Sequence, residues 1–261
     1  MRISQNEDLV ERLLECEKNL EEYDNESKSW TDALRELSVI KDAFPIREGD
    51  KLDKRTILDI GTDCVKPLYI ALKFEPEKII GINEGLLAIG SDIEVQSKLL
   101  TKTKLSFYDC SFFDEETFRK IREKEGIDKF DFVLLSKTLH HLRTGKCVNE
   151  KHKKRVKCPE DEKSCTYGFE PNKIFKDLLR YGKRVIIYEF YDSTVKDDDK
   201  VKGRGGYLTK NEWNDIFKAI LRKYVVNFVI PQKFNLDQKR PEEINSLLKK
   251  GDTICFYVEE A

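Results

Sequence analysis

Apolar positions change their spacing once along this chain, near residue 55. Before that point Leu9, Leu13, Leu14, Cys16 and Leu20 recur every three or four residues, and Trp30, Leu34, Leu37 and Ile40 follow. That is the period of an α-helix with one buried face. Asn25-Glu26-Ser27 interrupts the run, so the pattern predicts two helices over residues 4–44, within an N-terminal helical cap of residues 1–50. After the change, short β-rich runs take over at Thr56–Ile60, Lys78–Ile82, Lys104–Tyr108, Phe130–Leu135 and Arg184–Tyr188. Helical stretches separate them near 66–74, 86–99, 114–124 and 170–181. Strand and helix in alternation imply a parallel sheet with helices on both faces.

The end of the chain departs from that alternation. "TKNEWNDIFKAILRKY" reads as a helix capped by Thr209, with Glu212 three residues on, as in a capping box. "VVNFVIP" and "DTICFYVEE" read as two further strands, with a short helix over Pro241–Lys250 between them. The expected fold is therefore α/β: a seven-stranded, mostly parallel, doubly wound sheet over residues 51–261, preceded by the N-terminal helices. Residues 143–169 follow neither period and read as an insertion after the fourth strand. Loops of that length in compact domains are usually functional or disordered.

Composition narrows the function classes. Charged residues make up 37% of the 261 positions, yet the formal net charge is only -1. No global basic field marks a nucleic-acid protein, so any such signal must be local. The start of the chain lacks the apolar core of a signal peptide, and no apolar run reaches membrane-spanning length. The seven cysteines are irregularly spaced. These features read as a soluble cytoplasmic protein whose thiols are mostly reduced.

The candidate chemistry lies at the strand ends. In an open parallel sheet, ligands gather at the carboxyl ends of the strands. "LDIGTD" ends the first strand with Asp59, and Gly61 lets the backbone turn close to a ligand. Thr62 and Asp63 follow, just before a helix whose N-terminus favours an anion. The turn carries no G-x-G-x-x-G, which argues against a dinucleotide pyrophosphate. "GINEG" ends the second strand about 20 residues beyond the turn, the distance at which an acidic residue reaches ribose hydroxyls. Glu84 and Asn83 are the candidates. Asp109 ends the third strand, where a carboxylate can accept from an exocyclic amine, and Ser136 and Lys137 end the fourth.

With those residues assembled, the sequence resembles the class I S-adenosylmethionine-dependent methyltransferases over roughly residues 55–258. The resemblance implies a Rossmann-like sheet with a reversed last strand and S-adenosylmethionine as cofactor. It implies that Asp59, Gly61 and nearby backbone contact the methionine moiety and that the "INE" tip holds the ribose. It assigns Asp109 and Cys110 to the adenine, and Ser136 and Lys137 to the methionine and acceptor side. "FDFVLLSKTLHHL" and "GGYLTKNEWNDIFKAI" resemble the family's fourth-strand and late segments. Two departures stand out. Asp63 and Val65 replace the second and third glycines of the first motif, and Asn83 occupies the position of the usual acid, with Glu84 one place later.

Methyl transfer needs mainly alignment, because a sulfonium is already a good leaving group. A base is required only for an acceptor that arrives protonated, and His140 or His141 can supply one. The insertion is basic in its first half, with Arg143, Lys146, Lys151, Lys153, Lys154, Arg155 and Lys157 against Glu150. It reads either as a solvated charge run or as a phosphate-binding loop, with Tyr167 and Phe169 available to stack on bases. Cys147, His152, Cys158 and Cys165 lack the tight C-x2-C spacing of zinc knuckles, and no metal site is assigned to them. The expectation is an S-adenosylmethionine-dependent methyltransferase with a slight lean to RNA through residues 143–157. A small-molecule acceptor, or a catalytically silent nucleoside-binding regulatory protein, is the alternative.

Overall fold

In the computed structural model of the chain, the residues described are 36–44, 51–62, 65–83, 101–112, 114–139, 142, 170–191, 208, 210–230, 240–248 and 252–260. The earlier part of the helical cap, the helix expected near 86–99, Thr209 and the insertion at 143–169 lie outside them. Seven strands follow the order β3-β2-β1-β4-β5-β7-β6 in a mixed, mostly parallel sheet, as the alternating pattern predicts. The chain divides into two compact units, residues 1–128 and 129–261.

In the first unit, β1 (Thr56–Ile60), β2 (Lys78–Asn83) and β3 (Lys104–Asp109) run parallel, with β2 in the middle. Ile57, Leu58, Ile79, Ile80 and Ile82 are almost wholly buried. Such continuous apolar runs suit strands covered on both faces. Helix α1 (Val65–Phe74) follows β1, and helix α2 (Glu115–Glu125) follows β3. The ends of α2 are written in its sequence. The side chain of Asp114 accepts from the Thr117 amide at 3.1 Å, and Gly126 closes the helix in the left-handed conformation at φ 67°.

Charge also pins α2 to the sheet. The buried carboxylate of Glu125 accepts from Lys104 Nζ at 2.7 Å and from Tyr108 Oη at 2.5 Å. Lys78 Nζ lies 3.3 Å from the same carboxylate and donates to the Glu125 carbonyl at 2.6 Å. The two lysines open β2 and β3, so a single acid at the end of α2 ties both strands to the helix. It also offsets the cost of bringing two cations together at the sheet edge.

In the second unit, β4 (Phe130–Ser136) pairs in parallel with β5 (Gly182–Tyr191). β7 (Asp252–Glu260) runs antiparallel to both β5 and β6 (Tyr224–Ile230), the reversed last strand. β5 is longer than the apolar run 184–188 predicts: helix α3 (Pro171–Tyr181) passes into it without a loop, and its last three residues pair with β7. Gly182 makes the junction: a Cβ there would lie 2.3 Å from Val133 Cγ2 on β4. Helix α4 (Lys210–Ile220) buries Trp213 and Phe217, which stack at 5.5 Å, and Phe217 meets Phe228 and Phe256 of β6 and β7. Such ring pairs contribute about 0.5–1.5 kcal/mol each beyond their area. Helix α5 (Pro241–Leu247) completes the unit with proline in its first turn.

Glu125 makes the stability of the first unit depend on acid. Burial raises its pKa, but Lys104, Tyr108 and Lys78 outweigh burial and lower it from 4.5 to about 2. The carboxylate is thus easier to ionise folded than unfolded, so its contribution is full above pH 4.5 and is lost as pH falls toward 2. A shift of that size corresponds to at most about 3 kcal/mol. Glu125→Gln should be less stable than wild type in urea at pH 7, and the difference should shrink steadily as the pH is lowered below 4.5.

Candidate functional site

The first unit gathers polar groups at the carboxyl ends of its three strands. Asp59 on β1 is paired in register with Gly81 on β2, and Asn83 on β2 with Asp109 on β3. Register partners in a parallel pair project to the same face, and alternate residues share it. Asp59, Gly81, Asn83, Phe107 and Asp109 therefore belong to one face, in two successive rows. The Asp59 carboxylate is almost fully buried, at 1% exposure, while Asp109 is exposed.

The turn after β1 is bound to the tip of β2. Gly61 takes φ 72°, a conformation that side chains disfavour. Its amide donates to the Ile82 carbonyl at 2.8 Å, and the Thr62 amide donates to the same oxygen at 3.3 Å. Asn83 Nδ2 donates to the Thr62 carbonyl at 3.0 Å. The Cys110 amide in turn donates to the Asn83 carbonyl at 3.3 Å, and the buried Cys110 thiol donates to Ser111 O at 3.2 Å. Three strand tips are thereby connected by hydrogen bonds.

One feature of this cradle escapes a reading confined to strand ends. A Cβ on Gly81 would lie 2.6 Å from Phe107 Cδ1 and 2.8 Å from Thr62 Cγ2. The Phe107 ring and the Thr62 methyl thus occupy the space above Gly81 and buttress the turn from below. The signal was available: a glycine inside the strand "KIIGIN" marks a close approach. Asn83, expected at a ribose, is seen to hold the turn through one of its amide hydrogens.

Of the residues expected at this rim, Asp59, Gly61, Thr62, Asn83, Asp109 and Cys110 come together in the first unit. Asp63 and Glu84 lie outside the described residues, as do His140 and His141. Ser136 and Lys137 belong to the second unit. Ser136 is buried, and among the described residues its hydroxyl has no hydrogen-bond partner. Lys137 takes φ 51° and donates its amide to Tyr188 O at 2.7 Å, and its ammonium sits 4.7 Å from the centre of the Phe190 ring. Thr138 Oγ1 donates to Ser136 O at 2.9 Å, fixing this turn. Glu189, on β5, is wholly buried, and its Oε1 accepts from the Phe190 amide at 3.1 Å.

Among the described residues no cluster of histidine, cysteine and acidic side chains could hold a metal ion. No helix among them is long and apolar enough to cross a membrane. The cysteine and histidine set of the insertion lies outside them. Cys110 and Cys255 are buried thiols and take part in no disulfide.

No family model matches the chain, and no curated protein matches it. Solved structures do. An O-methyltransferase family protein from Burkholderia thailandensis is 9% identical, with a TM-score of 0.48, the match covering 88% of this chain and 57% of that one. The N-terminal domain of EvdMO1, with S-adenosyl-homocysteine bound, is 13% identical, with a TM-score of 0.46, covering 98% and 97%. M. capricolum TrmK, in complex with the same cofactor product, is 14% identical, with a TM-score of 0.41, covering 87% and 67%. This chain spans little more than half the length of the Burkholderia thailandensis protein, 57%, and of the pyocyanin biosynthetic protein PhzM, 61%. The sheet order, with its antiparallel β7, is that of a Rossmann-like sheet with a reversed last strand.

The buttress beneath the turn is open to test. Gly81→Ala should displace Phe107 and Thr62 and destabilise the protein by about 1–3 kcal/mol, the usual range for overpacking. Adding Phe107→Leu should recover part of that loss, as read from denaturant midpoints.

Proposed function

We propose that the protein is an S-adenosylmethionine-dependent methyltransferase and that the cofactor binds in the cradle of the first unit. The observation that carries this reading is the turn at Gly61–Thr62, hydrogen-bonded to the tip of β2, with a buried carboxylate at Asp59 and an exposed one at Asp109. The donor set suits the group. Asp59 offers a negative charge to an ammonium or sulfonium. Helix α1 has no acidic residue in its first turn, so its N-terminal end favours the carboxylate of an amino-acid moiety. Asn83 retains its amide oxygen and one amide hydrogen for a ribose, with Glu84 next in sequence. Asp109 can accept from the exocyclic amine of an adenine, beside Cys110.

When bound, S-adenosylmethionine supplies an electrophilic methyl group on a sulfonium that departs as a neutral thioether. The chain's part is then to bind, orient and keep water out. His140 and His141 are the proposed bases for an acceptor that carries a proton. The basic run at 143–157 favours an RNA acceptor over a small molecule.

Isothermal calorimetry with S-adenosyl-homocysteine should give a dissociation constant on the order of micromolar, about -8 kcal/mol. Asp59→Ala and Asp109→Ala should each weaken it by about tenfold or more. A wild-type protein that binds neither S-adenosyl-homocysteine nor S-adenosylmethionine overturns the reading. Transfer of a labelled methyl group to fractionated cell extract separates an enzyme from a silent binder.

For the RNA acceptor, neutralising Lys151, Lys153, Lys154 and Arg155 should reduce the slope of log K against log salt by about 0.7 for each lost contact to single-stranded phosphate. An unchanged slope would remove that role from the insertion.

A further inference from the structure

The helix that leaves the cradle is held by the N-terminal segment at both of its ends. Residues 36–40 are helical and continue as a 3-10 turn over Lys41–Ala43. Leu37, Ile40, Ala43 and Phe44 are buried. Glu36 Oε1 lies 3.6 Å from Lys66 Nζ in the first turn of α1. At the other end Phe44 packs against Phe74, the last residue of α1, with ring centroids 5.8 Å apart. The segment thus runs alongside α1 in the same direction, from a charge contact at its start to a ring contact at its finish.

The charge contact is the unusual one. Both side chains are nearly inaccessible, at 3% for Glu36 and 7% for Lys66. A buried ion pair adds little to stability, and apolar residues of similar size often serve as well or better. Lys66 is also at the end of α1 where the helix dipole disfavours a cation, and α1 has no acid of its own in its first turn. The location therefore asks for an explanation other than stability. Lys66 is four residues after Thr62, whose carbonyl and amide are both held by β2. Whatever fixes the first turn of α1 fixes where the Gly61–Thr62 turn resumes its path.

We propose that Glu36, acting through Lys66, is a positioning residue for the cofactor cradle. The inference rests on the cofactor reading above. The N-terminal segment then sets cofactor affinity without touching the cofactor, because its docking and the geometry of the Gly61–Thr62 turn are one coupled arrangement.

The decisive variant is the apolar pair Glu36→Leu with Lys66→Met, which removes the charges and keeps the volume. Its denaturant midpoint should equal or exceed that of wild type. Its affinity for S-adenosyl-homocysteine should fall by about tenfold. Amide hydrogen exchange at Gly61 and Thr62 should quicken by about tenfold, while exchange in the last turn of α1 stays as it was. Lys66→Arg keeps the pair and should remain within about twofold of wild type in both readouts. Should the apolar pair fail to fold, Glu36→Gln carries the same expectation for affinity and exchange. Unchanged affinity and unchanged exchange at Gly61 and Thr62 would overturn the proposal. So would exchange that quickens uniformly through the first unit, which marks a purely structural pair. If wild type binds no S-adenosyl-homocysteine, the cofactor reading fails, and exchange at Gly61 and Thr62 still decides whether Glu36 positions the turn.

Discussion

The carbonyl of Ile82 accepts from two successive amides, those of Gly61 and Thr62, and the rest of the candidate site depends on that arrangement. A chain leaving a parallel strand must turn out of the sheet and begin its helix, and the turning amides lose their ladder partners. Here the neighbouring strand takes both of them. The consequence is geometric as much as energetic. The turn cannot move away from β2 without breaking both bonds, and the buried Thr62 amide left unsatisfied would cost about 1–3 kcal/mol. Asn83 adds a third bond from the side-chain side. A single glycine is enough to make the turn because β2, rather than further glycines, holds it in place.

The turn therefore keeps its shape with one glycine, although Asp63 and Val65 stand where glycine-rich turns carry more. It also has a floor, which the close approach at Gly81 provides. Phe107 and the Thr62 methyl fill the space a side chain would occupy there. The glycine that the turn lacks is in effect located one strand over, where it serves packing rather than phosphate.

Much of this was legible in the sequence, and the reasons for what was not are physical. β1 and β7 have the bounds that their apolar runs give, and β2 to β4 are only a residue longer. Runs such as "TILDI" and "FDFVLLS" are buried on both faces and leave little ambiguity. β5 exceeds its apolar run at both ends: Gly182 looks like a loop residue and is instead a helix-to-strand junction packed on Val133, and Glu189–Tyr191 stay in the sheet by pairing with β7. The site residues were found by their location at strand ends. Their contacts were not, because a hydrogen bond such as Asn83 to Thr62 joins residues 21 apart and depends on register, which no local pattern records. Glu125 was missed for the same reason. It looks like one of several surface acids on α2 until β2 and β3 bring Lys78 and Lys104 to it.

The two ends of the same strands divide the work of charge. At their amino ends, Lys78 and Lys104 converge on Glu125 and fasten α2. At their carboxyl ends, Asn83 and Asp109 lie side by side in register. Because α2 is anchored at the amino ends, the carboxyl-end groups are not needed to hold it. Tyr108 joins the two ends: its hydroxyl reaches Glu125 while its backbone precedes Asp109. Alternation along β3 sends Tyr108 to the helix side and Phe107 and Asp109 to the other. One short strand thus contributes an anchor on one face and a buttress and a carboxylate on the opposite face. A shift of register by one residue would exchange all three. The buried contacts of Glu125 and the close fit over Gly81 both oppose such a shift, so the packing that stabilises the first unit is also what keeps Asp109 beside Asn83.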